Sequence, residues 1–244
     1  MAGSRLQKHV PRSKAARPVY LAAVCIIVLT TSVIGCRTAF RPAAPVAESA
    51  LQDLRQRLDA SLPVRYQART AVLVEIRPHW WWPAIRLTAL SYMRVDRETS
   101  SYAVVCLTPL GVKLFDIART NGHVQANLLV SSIPHREEIV RGMGDEIGRM
   151  LFDLVPAPDA ACRREGTSLV FRQTGTNGAV EHVVSAPECR LVEKRYGRGR
   201  KKICTIRYRD YRQVDGLWFP GEIVLQDPRY GFRLTLRLKE AQKE

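Results

Sequence analysis

The sequence lacks the close spacings from which catalytic and metal sites are usually built. Its five histidines are scattered, so no His-Glu-x-x-His pair exists, and no two cysteines stand as Cys-x-x-Cys. A zinc site is therefore not expected. No Gly-x-Ser-x-Gly elbow presents a nucleophile, and no glycine-rich loop is placed to cradle a phosphate. The carboxylate pairs Glu137-Glu138 and Asp145-Glu146 fall on a helical pattern, where they read as its solvated face. The expectation is a protein that is not an enzyme and needs no cofactor. Acid is also short: 38 Lys and Arg against 23 Asp and Glu leave a net charge of +15.

The first 35 residues contain no acidic side chain at all. Arg5, Lys8, Arg12, Lys14 and Arg17 precede an apolar run from Val19 to Val33, about the length of a secretory core segment and short for a membrane span. The run closes on Val33-Ile34-Gly35-Cys36, which resembles the lipobox of bacterial lipoproteins. That resemblance implies a signal peptide over residues 1–35, diacylglycerol on the Cys36 sulfur, and an acyl chain such as palmitate on the amino group freed by cleavage. Several chains anchor a protein where one does not. Arg37, in place of Asp after the lipid cysteine, implies sorting to the periplasmic face of the outer membrane. Nucleic acid is not an expected partner there. Anionic lipid head groups, lipopolysaccharide phosphates or acidic carriers are the complements of a basic chain, or the charge only solubilises its surface.

Four cysteines remain for an oxidising compartment: Cys106, Cys162, Cys189 and Cys204. Cys106 and Cys204 sit in apolar strand patterns, whereas Cys162 and Cys189 flank a strand pair and could form a bridge. Spacing does not choose among the three full pairings.

Residues 36–48 read as lipid anchor and tether, with two prolines and several alanines. A single domain is expected over residues 49–244. It begins with a short helix in which Ser49 and Gln52 suggest a capping box and Leu51, Leu54 and Leu58 share a face. From Arg65 the apolar period changes to alternation. Strands are expected at 65–76, 85–95, 100–107, 111–119, 122–130, 167–173, 178–184, 189–196, 202–211, 217–226 and 230–239. In the last, Phe232, Leu234, Leu236 and Leu238 alternate with Arg233, Thr235, Arg237 and Lys239. Asn121-Gly122, Asn177-Gly178 and Asp215-Gly216 mark turns. The interruption is helical: Pro134 suits a first position, and Ile139, Val140, Met143, Ile147, Met150, Leu151 and Leu154 form one stripe. Gly142, Gly144 and Gly148 weaken that helix, so packing on the sheet must hold it; it is either a movable lid or an ordinary surface helix. The expected class is mainly β, a curved antiparallel sheet whose inner face helices plug or a cavity occupies.

The most distinctive segment of the domain is Leu107-Thr108-Pro109-Leu110-Gly111-Val112-Lys113-Leu114, a strand ending in a Pro-Leu-Gly turn with a leucine at its tip. Here the chain resembles the LolB-like outer-membrane receptors of the LolA/LolB lipid-carrier superfamily. Tyr208-Arg209-Asp210-Tyr211, Phe219-Pro220 and the final strand are similar to that family's closing strands. The resemblance implies an open antiparallel β-barrel of about eleven strands with a helical lid over an apolar cavity. It implies that Pro109, Leu110 and Gly111 form a membrane-insertion loop. It also implies acyl chains of lipoproteins or lipids as cargo, and a periplasmic carrier among the partners. Expected cavity and lid residues are Met143, Ile147, Met150, Ile206, Tyr208, Leu234 and Leu236. Arg198, Arg200, Lys201 and Lys202 crowd one hairpin tip, where they reach anionic head groups or are simply solvated. Trp80-Trp81-Trp82-Pro83 is not part of the family pattern; it plugs the sheet or rests at a membrane interface. Two other readings stay open: a scaffold lipoprotein with a filled core, and a carrier of a glycolipid-like cargo.

Overall fold

A computed structural model describes residues 47–77, 83–128, 136–176, 178–198, 201–229 and 231–244. The signal segment, Cys36, the tether up to residue 46, Trp80–Trp82, Pro134 and Arg200 lie outside the described residues. Helix α1 spans Glu48–Ser61. Its leucines 51, 54 and 58 are buried as their spacing requires. The capping box does not form, because the helix begins one residue early, with Ala47 at the cap position and no side-chain bond there.

Among the described residues fourteen strands follow rather than eleven. They are β1 (Arg65–Ile76), β2 (Ile85–Asp96), β3 (Ser101–Leu107), β4 (Lys113–Thr120), β5 (His123–Leu128), β6 (Ala161–Glu165), β7 (Ser168–Gly175), β8 (Gly178–Ser185), β9 (Arg190–Arg198), β10 (Lys201–Arg209), β11 (Arg212–Val214), β12 (Leu217–Phe219), β13 (Glu222–Asp227) and β14 (Phe232–Lys243). Helix α2, Arg136–Leu151, stands between β5 and β6. Twelve strands form one sheet in the order β5-β4-β3-β2-β1-β14-β13-β10-β9-β8-β7-β6, while β11 and β12 make a separate ribbon. Pairing is antiparallel throughout. The sheet is open: β5 and β6, its two edges, are joined in sequence through α2 and are not paired with each other. A closed ring of strands is therefore not present among the described residues.

The registers give the sheet two ends. One, the upper end, holds the β1–β2, β3–β4, β7–β8, β9–β10 and β13–β14 connections; Ile76↔Ile85, Ile76↔Phe232 and Lys201↔Arg198 all fall there. The lower end holds α1 and the ribbon. Tyr66 meets Phe219 edge to face at 5.3 Å, and Arg190 lies 3.7 Å over the Trp218 ring. The Tyr211 hydroxyl donates to the Leu191 carbonyl at 2.6 Å. Aromatic packing with satisfied polar tips closes this end.

Alternation sends Val72, Ala89, Met93, Val104, Ile206 and Leu236 onto the concave face, where they join the α1 leucines in the core of the compact unit 44–244. The convex face carries ion pairs across neighbouring strands, such as Arg86–Glu75 at 2.9 Å and Arg237–Glu222 at 3.0 Å. Such exposed pairs contribute about 0–1 kcal/mol each, so stability comes from the concave side. Cys106, Cys162, Cys189 and Cys204 are all free thiols, and no bridge joins Cys162 to Cys189.

Candidate functional site

Helix α2 lies across the concave face, and three buried side chains bind the carbonyls at its C-terminal end. Lys194 on β9 is fully buried and donates from Nζ to the Arg149 and Phe152 carbonyls at 2.9 and 2.8 Å. The last carbonyls of a helix have no partner within it and carry its negative pole, which an ammonium complements. Burial pushes the Lys194 ammonium down to about 8, so at neutral pH it still carries its charge. Tyr208 on β10 donates to the Met150 carbonyl at 3.0 Å. His182 on β8 sits 2.7 Å from the Asp153 carbonyl. A carbonyl only accepts, so Nε2 carries the proton. Burial, then the Lys194 charge, holds the imidazole down to about 4. The chain leaves the helix through Asp153 in a left-handed conformation, φ 52°.

On its other flank α2 fits by close approach. A Cβ at Gly144 would stand 2.6 Å from the Val124 side chain, and one at Gly148 would stand 2.8 Å from the Arg119 guanidinium. The glycines that weaken the helix in isolation are what let it reach β4 and β5. Tyr102 on β3 adds a bond to the Gly144 carbonyl at 3.0 Å. Glu146 faces Cys204, Asp227 and Arg229; burial raises its carboxyl, and Arg149 at 2.5 Å opposes that shift.

Under α2 two small apolar spaces remain. One of about 60 Å³ is lined by Val72, Phe115, Ile147, Met150, Leu234 and Leu236, among others. A second of about 30 Å³ lies beside Tyr66, Thr70, Phe219 and Leu238. Ligand pockets commonly reach roughly 300–1,000 Å³, so neither space admits a long chain while α2 is in place. The sequence-predicted residues meet here: Leu234 and Leu236 line the larger space with Ile147 and Met150, Met143 is half-buried at the core's edge, and Ile206 and Tyr208 are buried. Tyr208 is a helix anchor rather than a cavity wall.

The apolar lining continues past the helix toward the upper end. On β2 the concave row runs Val95, Met93, Ser91 and Ala89, all buried, then emerges as Leu87 and Ile85, which are exposed. Val74 and Leu234 stand beside Leu87 in the register, and Ile76 and Phe232 beside Ile85. The β3–β4 turn lies at this end. Gly111 there has φ 83°, a conformation open to glycine, and its amide donates to the Thr108 carbonyl at 2.9 Å. Leu110 at the tip is 92% exposed. The basic β9–β10 tip shares this end, although for Arg198, Lys201 and Lys202 only the backbone is described.

Sequence reasoning missed Lys194 and His182. In Arg190-Leu-Val-Glu-Lys-Arg-Tyr a lysine reads as a solvated position. The β8–β9 register shifts between Val183 and Val184, and that bulge turns both Leu191 and Lys194 inward.

No protein family profile and no curated sequence matches this chain. Solved structures do. A LolA superfamily protein from Nitrosomonas europaea superposes with a TM-score of 0.54 at 12% identity, over 80% of this chain and 93% of that one. A DUF1329 family protein from Desulfovibrio piger follows with a TM-score of 0.52 at 10% identity, over 80% and 92%. At these identities the likeness is one of fold: the chain has a LolA-like fold.

Proposed function

We propose that this protein is a lipid-anchored acyl-chain carrier or receptor of the outer membrane, held through Cys36 and facing the periplasm. The observation that carries the reading is the continuous apolar row on β1, β2 and β14, which starts beneath α2 and comes out uncovered at the end where Leu110 projects. A LolA-like fold supports it. The mechanism is differential burial. Each methylene moved from water to an apolar surface gains about 0.8 kcal/mol, so cargo is held without polar chemistry and released only where a bilayer competes for it. Loading requires α2 to move off the sheet, since the spaces of about 60 and 30 Å³ are too small as they stand. Leu110 then brings the open end to the membrane.

Those small volumes favour a second reading, a scaffold lipoprotein with a filled core. Native mass spectrometry of residues 44–244, purified without detergent, separates the two. Bound acyl lipid, or uptake of a fluorescent fatty acid, supports the carrier. A ligand-free mass with no uptake supports the scaffold. In the carrier, Leu110→Glu folds normally yet fails to deliver cargo to vesicles.

A further inference from the structure

The described residues expose six large apolar side chains, and four of them stand at the upper end of the sheet. Ile85 and Leu87 on β2 are 52% and 57% exposed, beside Leu110 and Val112 on the β3–β4 turn. The β2–β3 register brings these two elements together: Leu107 pairs with Leu90, so the turn that follows runs alongside the first residues of β2. Val64 and Tyr92, the other two, lie elsewhere, at the foot of β1 and on the convex face. Exposed apolar side chains gathered at one rim, where the concave lining also emerges, call for a cover.

Charge indicates which cover. Among the described residues the connections at the upper end (77, 83–84, 108–112, 176, 228–229 and 231) contain Arg77 and Arg229 but neither Asp nor Glu, and Arg229 pairs with Asp227 at the end of β13. The rest of the sequence joining those strand ends adds no carboxylate either. The lower connections carry Glu98, Glu188, Asp210 and Asp215. The upper connections are therefore apolar and carry no acid of their own, while the strand ends below them hold Asp227, paired with Arg229, and Glu75, paired with Arg86.

We infer that this rim docks on the surface of an anionic phospholipid bilayer, with Ile85 and Leu87 as a second insertion element beside the Leu110 turn. The inference rests on the carrier reading and adds to it a two-point contact, which fixes the sheet end-on to the membrane. A single leucine at a turn tip leaves the body free to tilt. Two elements on neighbouring hairpins bring the uncovered β2 row against the lipid. Arg77 and the basic β9–β10 connection draw the rim to anionic head groups, while Arg229 is held by Asp227.

The test is vesicle flotation of residues 44–244, the unit that carries its own core, with mixed phosphatidylglycerol–phosphatidylcholine vesicles and with phosphatidylcholine alone. The mixed vesicles bind more tightly. Leu87→Glu and Ile85→Glu each weaken that binding by about tenfold or more. Thermal unfolding stays at the wild-type temperature, because both side chains are exposed, and Leu87→Met binds like wild type. Wild-type flotation by Leu87→Glu and Ile85→Glu, with binding lost in Leu110→Glu, overturns the two-point contact and leaves the Leu110 contact standing. Equal binding to both vesicle types, or none to either, also overturns it. Fatty-acid uptake is read in parallel and tests the carrier reading by itself. If the rim binds a protein instead, the vesicles stay unoccupied.

Discussion

The two flanks of α2 hold it by different physics. On the β8–β10 side, Lys194, Tyr208 and His182 reach carbonyls between Arg149 and Asp153 with directional bonds in dry surroundings. On the β3–β5 side, Gly144 and Gly148 let the helix nestle against Val124 and Arg119, with Tyr102 supplying a bond. Breaking the first contact strands three buried polar side chains, which costs more than losing the single Tyr102 bond of the glycine flank. In the proposed carrier, a helix held this way keeps its C-terminal end and parts from the sheet along its glycine flank. That is the asymmetry expected of a hinged cover, and it puts the fixed point near Met150.

The largest test of this contrast is acid. His182 is neutral in the fold with its pKa at about 4, against 6.5 unfolded. Below pH 6.5 the unfolded chain binds the extra proton, so stability falls as pH drops toward 4, by about 3 kcal/mol in all. Urea unfolding at several pH values reads this, and His182→Gln flattens the curve. An unchanged slope in that variant removes His182 from the anchoring set. Lys194→Met comes next. It keeps the stem but strips two carbonyls of their donor, and about 2 kcal/mol of stability is lost at pH 7. The glycine flank is tested by a pair of opposite sign. Gly142 has open space around its missing Cβ, so Gly142→Ala stabilises by about 0.5–1 kcal/mol. Gly144→Ala meets Val124 and destabilises by about 1 kcal/mol despite its better helix propensity. If both substitutions stabilise, the close fit is not what holds that flank. Smallest is Tyr208→Phe, at about 1 kcal/mol or less. An equal loss in Tyr102→Phe would make the two flanks alike.

Much of the sheet was legible because half-buried strands alternate. The bounds of β1 follow from residues 65–76, and β14 from Phe232 onward. Strand β6 was missed because Ala-Cys-Arg-Arg-Glu sits at an edge with most side chains in water, so burial imposes no alternation on it. The ribbon was hidden because Asp215-Gly216 marks its turn while its strands are three residues each. The helix stripe was readable from its period, and with it Ile147 and Met150. Leu234 and Leu236 were readable from the last strand. Lys194 was not, since a bulge changes which face a strand residue takes without any mark in composition. Neither was the union of Ile85, Leu87 and Leu110. Periodicity tells which side a residue faces, while strand order and register decide what stands next to it.

Strand β1 lies between β2 and β14, so the first and last strands of the domain are neighbours at the centre of the sheet, with Tyr66 opposite Lys243. The central ladder thus joins the most distant parts of the domain in sequence. High contact order of this kind makes folding slow, because a large loop must close before its contacts stabilise anything. The centre of the sheet cannot assemble until residues near 243 are available. A chain emerging N-terminus first therefore stays incomplete until its last strand arrives. Removing β14 strips β1 of one partner and splits the sheet into two pieces, each with a new open edge.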